Sequence, residues 1–345
     1  AGGGAAGAGG GVRAPAVDAG AGAPPEAPPE APPEAPHEAP RAAVDELPTA
    51  AGRGAAGERA ARGAAGEGGD GSGADALGVA LVQMTVTDGD PAANLARATR
   101  LIADAPAADL YLLPELFTTG YAHDAWAGAA REHTPGAIAA LQALADRRGA
   151  WIAGSMIAEV GGGGLANRLH LVAPGDAVRA GEPALVTYDK AHLFPPMGEP
   201  ERLVAGRARV RARVGRGAAA AEAALSICFD LRFPEMYRRD AVDGATLFVC
   251  VAEWPHPRGE TLRLLARARA AENQGWVALC NRVGPAGDGT AFAGGSCVIG
   301  PDGGVVVDAG EAEDVVVVAA VRGRVAAAAR VAFPVLTLQF PLVDR

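Results

Sequence analysis

The sequence has few aromatic residues, four cysteines and an N-terminal part with almost no side chains that could build a core. Aromatic residues make up 5% of its 345 residues. Residues 1–74 contain no Phe, Tyr, Trp, Ile or Met, and Leu47 is their one Leu. Such a segment cannot bury enough apolar surface to offset the entropy lost on ordering. We therefore predict a disordered low-complexity tail, rich in Ala, Gly and Pro, over residues 1–74, and one large folded domain over residues 75–345.

The cysteines are not spaced as metal ligands. They include no C-x-x-C pair, and no histidine lies at zinc-finger spacing from Cys228, Cys250, Cys280 or Cys297. The N-terminal segment also lacks the charged start and apolar core of a secretory signal. We expect a reducing compartment and a cytoplasmic protein, with organelle targeting by the tail left open.

Charge and hydropathy argue against nucleic-acid and membrane partners. The net charge is −9, whereas a nucleic-acid binder would normally present a basic face. One basic run is interpreted as a solvated strand edge or loop, and its members are Arg207, Arg209, Arg211, Arg213 and Arg216. The longest apolar run is Val315–Val321, far shorter than the roughly 18 residues of a membrane span.

Short β-branched apolar runs alternate with segments of helical periodicity, and the last strands follow each other directly. The pattern predicts helices over residues 91–105, 135–148 and 258–274 and another from about residue 234. It predicts strands over residues 79–84, 110–113, 151–158, 169–172, 185–188, 223–227, 245–251, 277–280, 294–299, 305–307 and 315–321. This order indicates an α/β domain with mixed sheets and outer helices. Four glycines at 161–164 lie between two strands and predict a hairpin loop.

Three reactive side chains follow apolar strands, where open α/β sheets place their sites. Glu115 is flanked by Leu, Pro and Phe, so partial desolvation would suit it to act as a general base. Lys190 ends a strand beside aromatic residues and would stabilise an oxyanion. Cys228 stands where a strand turns into a helix, whose N-terminus would lower the thiol pKa. The backbone N–H of Phe229 would supply an oxyanion donor.

Each residue taken alone also has a simpler interpretation. Glu115 would be an exposed glutamate in a turn, Lys190 a surface lysine paired with the preceding aspartate, and Cys228 a buried structural thiol. Glu199 and Glu201 are equally ambiguous.

Three segments taken together resemble the nitrilase superfamily of carbon–nitrogen hydrolases. Residues 114–121, 190–194 and 228–235 are similar to its Glu, Lys and Cys motifs, in that order along the chain. Trp254, Pro255 and Arg258, together with residues 268–274 and 281–284, are similar to the downstream block of the family. The resemblance extends over nearly the whole foldable part of the chain.

The resemblance implies a catalytic triad of Glu115, Lys190 and Cys228. It also implies a second glutamate seven residues before a glycine, and Glu199 stands seven before Gly206. The implied fold is a four-layer α-β-β-α sandwich, assembled as a homodimer or a higher homo-oligomer. No metal or organic cofactor is expected.

Within the family, the Cys-Phe-Asp-Leu-Arg-Phe-Pro-Glu segment resembles the amidase branches, because true nitrilases typically have Cys-Trp-Glu there. The likeness is to omega-amidases, which usually carry His-Trp where this chain has Thr261 and Leu262. The implied reaction cleaves a small, dicarboxylic monoamide to acid and ammonia through a thioester on the cysteine. Substrate contacts are expected from Arg232, Trp254 and Tyr121.

Alternatives remain at this point. The same triad would serve a nitrile hydrolase or an acyl transferase, and the fold alone would serve a non-catalytic binding protein. Arg232 would equally suit a buried structural ion pair. Surface or packing roles are expected for a group of four histidines, His123, His133, His170 and His256.

Overall fold

The computed structural model describes residues 75–338, so the predicted tail over residues 1–74 lies outside the described residues. The described part contains fourteen strands. They are β1 (Leu77–Gln83), β2 (Leu110–Leu112), β3 (Trp151–Val160), β4 (Gly164–Val172), β5 (Leu185–Asp189), β6 (Arg211–Val214), β7 (Ala221–Ile227), β8 (Leu247–Ala252), β9 (Trp276–Asn281), β10 (Val283–Pro285), β11 (Ala291–Ala293), β12 (Cys297–Ile299), β13 (Val305–Asp308) and β14 (Val315–Val321).

Seven α-helices connect these strands within residues 75–338. They are α1 (Pro91–Asp104), α2 (His123–Gly128), α3 (Thr134–Arg148), α4 (Gly175–Arg179), α5 (Pro234–Val242), α6 (Gly259–Asn273) and α7 (Gly323–Ala332). Helix α1 begins where the Asp90 side chain accepts the Ala93 N–H and where Pro91 occupies the first turn. Helix α3 ends at Gly149, which adopts the left-handed conformation.

The strands form two six-stranded mixed sheets and a β10–β11 hairpin. The first sheet has the order β14-β1-β2-β3-β4-β5, and its strands β1, β2 and β3 are parallel. The second has the order β13-β12-β9-β8-β7-β6, and its strands β7, β8 and β9 are parallel. Parallel strands end at the same edge of a sheet. The residues that follow β2 therefore lie at one edge of the first sheet, and those that follow β7 lie at one edge of the second.

Side chains of successive residues in the first sheet enter different layers. Along β1, Val79 and Leu81 pack in the central cluster with residues of β7, β8 and β9. Ala80 and Val82 point the other way and pack against helices α1 and α3. Because successive side chains in a strand point to opposite faces, this alternation places one sheet between a helix layer and the other sheet.

The second sheet has the same arrangement on its own side. Helices α5 and α6 pack on it and contribute Tyr237 and Leu262 to the central cluster. Across the sheet interface, the Cys280 thiol donates to the Leu112 carbonyl at 3.1 Å. Each fully buried apolar side chain of this core contributes about 1.5–3 kcal/mol. The predicted four-layer α-β-β-α sandwich is therefore confirmed.

Two local predictions are also confirmed. The glycine-rich segment forms a tight turn over Gly161–Gly163 between the antiparallel strands β3 and β4. The basic run covers β6, the edge strand of the second sheet, and the loops on either side of it. Arg209, before the strand, and Arg213, within it, pair with the surface carboxylates of Asp243 and Glu182. No helix in the described part of the chain is long and apolar enough to cross a membrane.

A glycine closes the loop between β5 and β6. The Gly206 N–H donates to the Lys190 carbonyl at 2.9 Å, which brings residues 190 and 206 together. A Cβ on Gly206 would collide with the backbone carbonyl of Asp189. This close approach explains why a glycine stands seven residues after Glu199.

We expect Gly206→Ala to lower the free energy of unfolding by about 1–3 kcal/mol, because backbone atoms cannot move aside as a flexible side chain would. Gly136→Ala is the matched control, since no atom lies within 4 Å of its Cβ position in α3. Urea unfolding of the two variants checks this, and equal stability of both would contradict the role of Gly206.

Candidate active site

Glu115 lies in a turn that follows β2 and is fully buried. The turn is anchored on β3, because the Leu116 N–H donates to Ser155 Oγ at 2.8 Å. Leu116 has a φ of 41°, a left-handed conformation that is strained for a leucine. The burial of Glu115 excludes the interpretation as an exposed turn residue.

Lys190 follows the end of β5 and is also fully buried. Its Nζ lies 2.8 Å from Glu115 Oε1 and 2.8 Å from Glu199 Oε2. Asp189 pairs instead with Arg168, at 2.5 Å and 2.8 Å, so the interpretation of Lys190 as a surface partner of Asp189 is wrong.

The lysine stays charged in this environment. Burial alone would lower the pKa of Lys190, but the carboxylates of Glu115 and Glu199 outweigh it and raise the pKa above its ordinary value. The result is a fixed ammonium between two acidic side chains.

Two neutral side chains join these carboxylates. Asn167, on β4, donates Nδ2 to Glu115 Oε1 at 2.7 Å and to Glu199 Oε1 at 3.2 Å. The Tyr121 hydroxyl donates to the same oxygens, at 3.3 Å and 3.1 Å. Burial and the two carboxylates raise the pKa of Tyr121 well above its ordinary value, so the hydroxyl remains a donor.

Cys228 is the first residue of a short 3₁₀ turn, Cys228–Arg232, that follows β7. Its φ of 47° is left-handed, and its side chain is buried. Asp230 holds this turn by accepting the Ile227 N–H at 2.9 Å. Asp230 also accepts the Tyr188 hydroxyl at 2.7 Å and the His192 N–H at 3.0 Å, which ties the cysteine turn to the segment around Lys190.

The predicted low pKa of Cys228 is wrong. Burial, followed by the negative charge of Glu115, raises the thiol pKa well above its ordinary value, and Lys190 opposes them incompletely. The sequence pattern placed a helix N-terminus at the thiol, but helix α5 begins six residues later, at Pro234. The neutral thiol therefore needs a base, and Glu115 is the carboxylate whose charge acts most strongly on it.

A narrow pocket lies over the cysteine. Its walls are aromatic and cationic and consist of Phe194, Phe229, Arg232, Trp254, Pro255 and Arg258. The guanidinium of Arg232 lies 5.2 Å from the Trp254 ring centre, and that of Arg258 lies 5.5 Å from the Phe194 ring centre. Arg232 is exposed, which excludes the buried ion pair considered from the sequence.

The structure thus brings the predicted residues into one place, with one change of position. Glu115, Lys190 and Glu199 form a buried cluster, and Cys228 faces it. Arg232 and Trp254 line the pocket as expected. Tyr121 was expected to contact substrate, but its hydroxyl is directed to the two glutamates.

Three site residues were missed from the sequence. Asn167 binds both glutamates, Asp230 holds the cysteine turn, and Glu253 donates its backbone N–H to Glu115 Oε2 at 2.8 Å. Asp230 falls within the cysteine motif and could have been singled out there. Asn167 and Glu253 carry no local signal, since each meets Glu115 only after distant strands assemble.

Among residues 75–338, no group of three or more His, Cys, Asp or Glu side chains is arranged to hold a metal ion. The site itself combines a buried thiol, a carboxylate and a fixed ammonium. That set is suited to nucleophilic attack on an acyl carbon with stabilisation of an oxyanion.

Comparisons with known proteins agree with this geometry. A family model described as carbon-nitrogen hydrolase matches residues 78–330. The Escherichia coli (strain B / BL21-DE3) protein "Omega-amidase YafV" is 36% identical over 233 residues, which are 68% of this chain and 85% of that protein. "2-oxoglutaramate amidase" of Bacillus subtilis (strain 168) is 33% identical over 239 residues, which are 69% and 88% of the two chains.

A solved structure agrees as well. A crystal structure from Xanthomonas campestris, described as a CN-hydrolase superfamily protein with an arsenic adduct in its active site, matches with a TM-score of 0.69 at 33% identity. The match covers 78% of this chain and 99% of that chain. Fold, site and sequence together show that the chain belongs to the carbon–nitrogen hydrolase family and is an enzyme of the amidase branch of the nitrilase superfamily.

Proposed function

We propose that this amidase hydrolyses the amide of a small dicarboxylic monoamide, through a thioester on Cys228, to an acid and ammonia. The observation that carries the proposal is the buried pair of Glu115 and Lys190 at 2.8 Å, with the charge of Glu115 acting on the buried thiol of Cys228. This arrangement supports a reaction in which a base, a cation and a nucleophile act on one acyl carbon.

In the first half-reaction, Glu115 takes the Cys228 proton and the sulfur bonds to the amide carbon. The carbonyl oxygen becomes an oxyanion, for which Lys190 Nζ and the Phe229 N–H are the proposed donors. The C–N bond then breaks, and the leaving nitrogen receives the proton from Glu115 and departs as ammonia. The product on the enzyme is a thioester.

In the second half-reaction, Glu115 takes a proton from a water molecule while the water oxygen bonds to the thioester carbon. Collapse of the second tetrahedral species breaks the C–S bond. The thiol of Cys228 regains its proton from Glu115, and the acid leaves. Glu199 keeps Lys190 in place through this cycle, since its Oε2 lies 2.8 Å from Nζ.

The pocket wall supports a substrate with a carboxylate. Arg232 and Arg258 stand at the mouth above Cys228, and both guanidiniums lie over aromatic rings that keep them oriented. Guanidinium groups match carboxylates in shape and charge. The names of the relatives, omega-amidase and 2-oxoglutaramate amidase, support the same class of substrate.

The homodimer and the cytoplasmic location expected from the sequence are kept as further proposals. Sedimentation analysis of the purified chain tests the first of them, and a monomer at micromolar concentration would overturn it.

Cys228→Ala is expected to abolish ammonia release, because no other nucleophile of the buried site lies beside Glu115. Intact-mass spectrometry of the unmodified enzyme during turnover of a dicarboxylic monoamide should reveal a transient acyl mass, absent from the variant. Cys297→Ala is a control that removes a buried thiol of β12, which does not line the pocket over Cys228. Substantial residual turnover in Cys228→Ala would contradict the proposed mechanism.

The same assay separates the rival reactions of this triad. Ammonia released from the amide but not from the matching nitrile supports the amidase. Transfer of the acyl group to an added amine in preference to water would favour an acyl transferase instead.

Asn167→Ala is expected to lower kcat/KM by about 10- to 100-fold, because it removes hydrogen bonds to two charged groups worth about 1.5–3 kcal/mol. Gln142→Ala is the control, since Gln142 donates only to Asp146 and to the Ala173 carbonyl, far from the cluster in the first helix layer. Steady-state ammonia release checks both. An unchanged kcat/KM in Asn167→Ala would mean that Tyr121, Lys190 and the backbone donors hold the glutamates without Asn167.

Arg232→Leu is expected to raise KM for a dicarboxylic monoamide by about 10- to 100-fold and to change kcat little, because it removes a contact made equally in ground and transition states. For an uncharged amide of the same length, KM should change far less. Equal effects on the two substrates would show that Arg232 does not bind the carboxylate.

A further inference from the structure

Glu253 lies directly beside the general base but is not part of the triad. It follows the end of β8, and its side chain is fully buried. Its backbone N–H donates to Glu115 Oε2 at 2.8 Å, while Glu115 Oε1 is the oxygen bound by Lys190. A second buried carboxylate is therefore attached to the same peptide group that orients Glu115.

The partner of Glu253 is a buried arginine. Arg282 Nη1 lies 3.3 Å from both Glu253 carboxylate oxygens and 2.9 Å from Asp88 Oδ1. Its Nη2 donates to the Val86 carbonyl at 2.8 Å and the Pro285 carbonyl at 3.1 Å. Side chains that follow β1, β8 and β9 thus meet in one network, Asp88–Arg282–Glu253.

The network also packs against the loop that carries Glu115. A Cβ on Gly120 would lie 2.9 Å from Arg282 Nη1 and would collide with Asp88 Oδ1. Gly120, with a φ of 53°, therefore lets the turn after Glu115 rest directly on the Asp88–Arg282 pair. The network reaches the Glu115 loop at two separate points.

We infer that Glu253, held by Arg282 and Asp88, is a positioning residue for Glu115 and that its ionisation tunes the transfer of the Cys228 proton to Glu115. The inference rests on the proposed function, because it assigns Glu115 the role of general base.

The surroundings of Glu253 shift the pKa of its carboxyl group upward. Burial raises the pKa of Glu253 to about 8, Arg282 opposes this rise, and the charges of Glu115 and Asp88 add to it. Tyr121 also faces Glu253, and it is neutral because its own pKa is raised well above the ordinary value. Glu253 is accordingly neutral below about pH 8 and negative above it.

The sign of the effect follows from the positions of the groups. When Glu115 accepts the thiol proton, negative charge leaves Glu115 and moves to the sulfur and then to the oxyanion. Glu253 contacts Glu115, the group that loses negative charge, through its backbone N–H. A negative Glu253 therefore favours the transfer, and kcat/KM should rise as pH increases through about 8.

The test is the pH profile of kcat/KM for full-length wild-type enzyme, Glu253→Gln and Asp88→Asn. Wild type should gain about three- to tenfold between pH 7 and pH 9. Glu253→Gln should lose this rise. Asp88→Asn should move its midpoint to lower pH, because the charge of Asp88 raises the pKa of Glu253. The rate of Cys228 alkylation by iodoacetamide, divided by the rate in Glu253→Gln at the same pH, should show the same rise in wild type and the same shifted midpoint in Asp88→Asn without any turnover.

Glu222→Gln is the matched control, since Glu222 is an exposed carboxylate on β7, and its profiles should equal those of wild type. A rise retained in Glu253→Gln, or an unmoved midpoint in Asp88→Asn, would overturn the inference while the amidase assignment stands. If Glu253→Gln does not fold, the Asp88→Asn midpoint decides alone. Loss of all amide turnover by wild type would instead overturn the proposed function, and the alkylation profiles would then decide the role of Glu253.

Discussion

The buried ammonium of Lys190 between Glu115 and Glu199 is the constraint on which the site depends. Taking charges out of water costs several kcal/mol per ion unless partners compensate for the lost solvation. Here each carboxylate has further donors, Asn167 and Tyr121 among them. Removal of Lys190 would leave two buried carboxylates without a cation, so the cluster depends on the ammonium.

That cluster belongs to the first sheet, whereas the nucleophile belongs to the second. Glu115 and Lys190 follow β2 and β5, and Cys228 follows β7. The packing of the two sheets therefore sets the distance between base and thiol. Asp230 makes this junction specific, because its carboxylate binds Ile227 beside the cysteine and His192 beside the lysine. A small number of polar contacts between the two sheets thus fixes the cysteine turn relative to the segment around Lys190.

The strands along the chain and the motif residues Glu115, Lys190 and Cys228 could be predicted because both leave local patterns in the sequence. Apolar runs mark the strands, and the reactive residues stand at their ends within recognisable motifs. Asn167 and Glu253 could not be predicted, since their contacts with Glu115 join residues that are 52 and 138 positions away in the chain. The thiol pKa was mispredicted for a related reason: burial of Cys228 depends on the assembled sheets and not on the turn that follows it.

The buried charged cluster and the pocket wall have different roles in the proposed reaction. In the proposed mechanism the reacting carbonyl meets the charged cluster, and the rest of the acyl group meets the pocket wall, where Arg232 is exposed and Arg258 half-buried. Leu262, in α6, lines one cavity together with Trp254 and stands at a position where omega-amidases usually have a tryptophan. A change there alters the support of the pocket wall and leaves the contacts of Lys190 untouched. Differences in acyl preference from the relatives should therefore arise at residues 261–262, while the hydrolytic step stays the same.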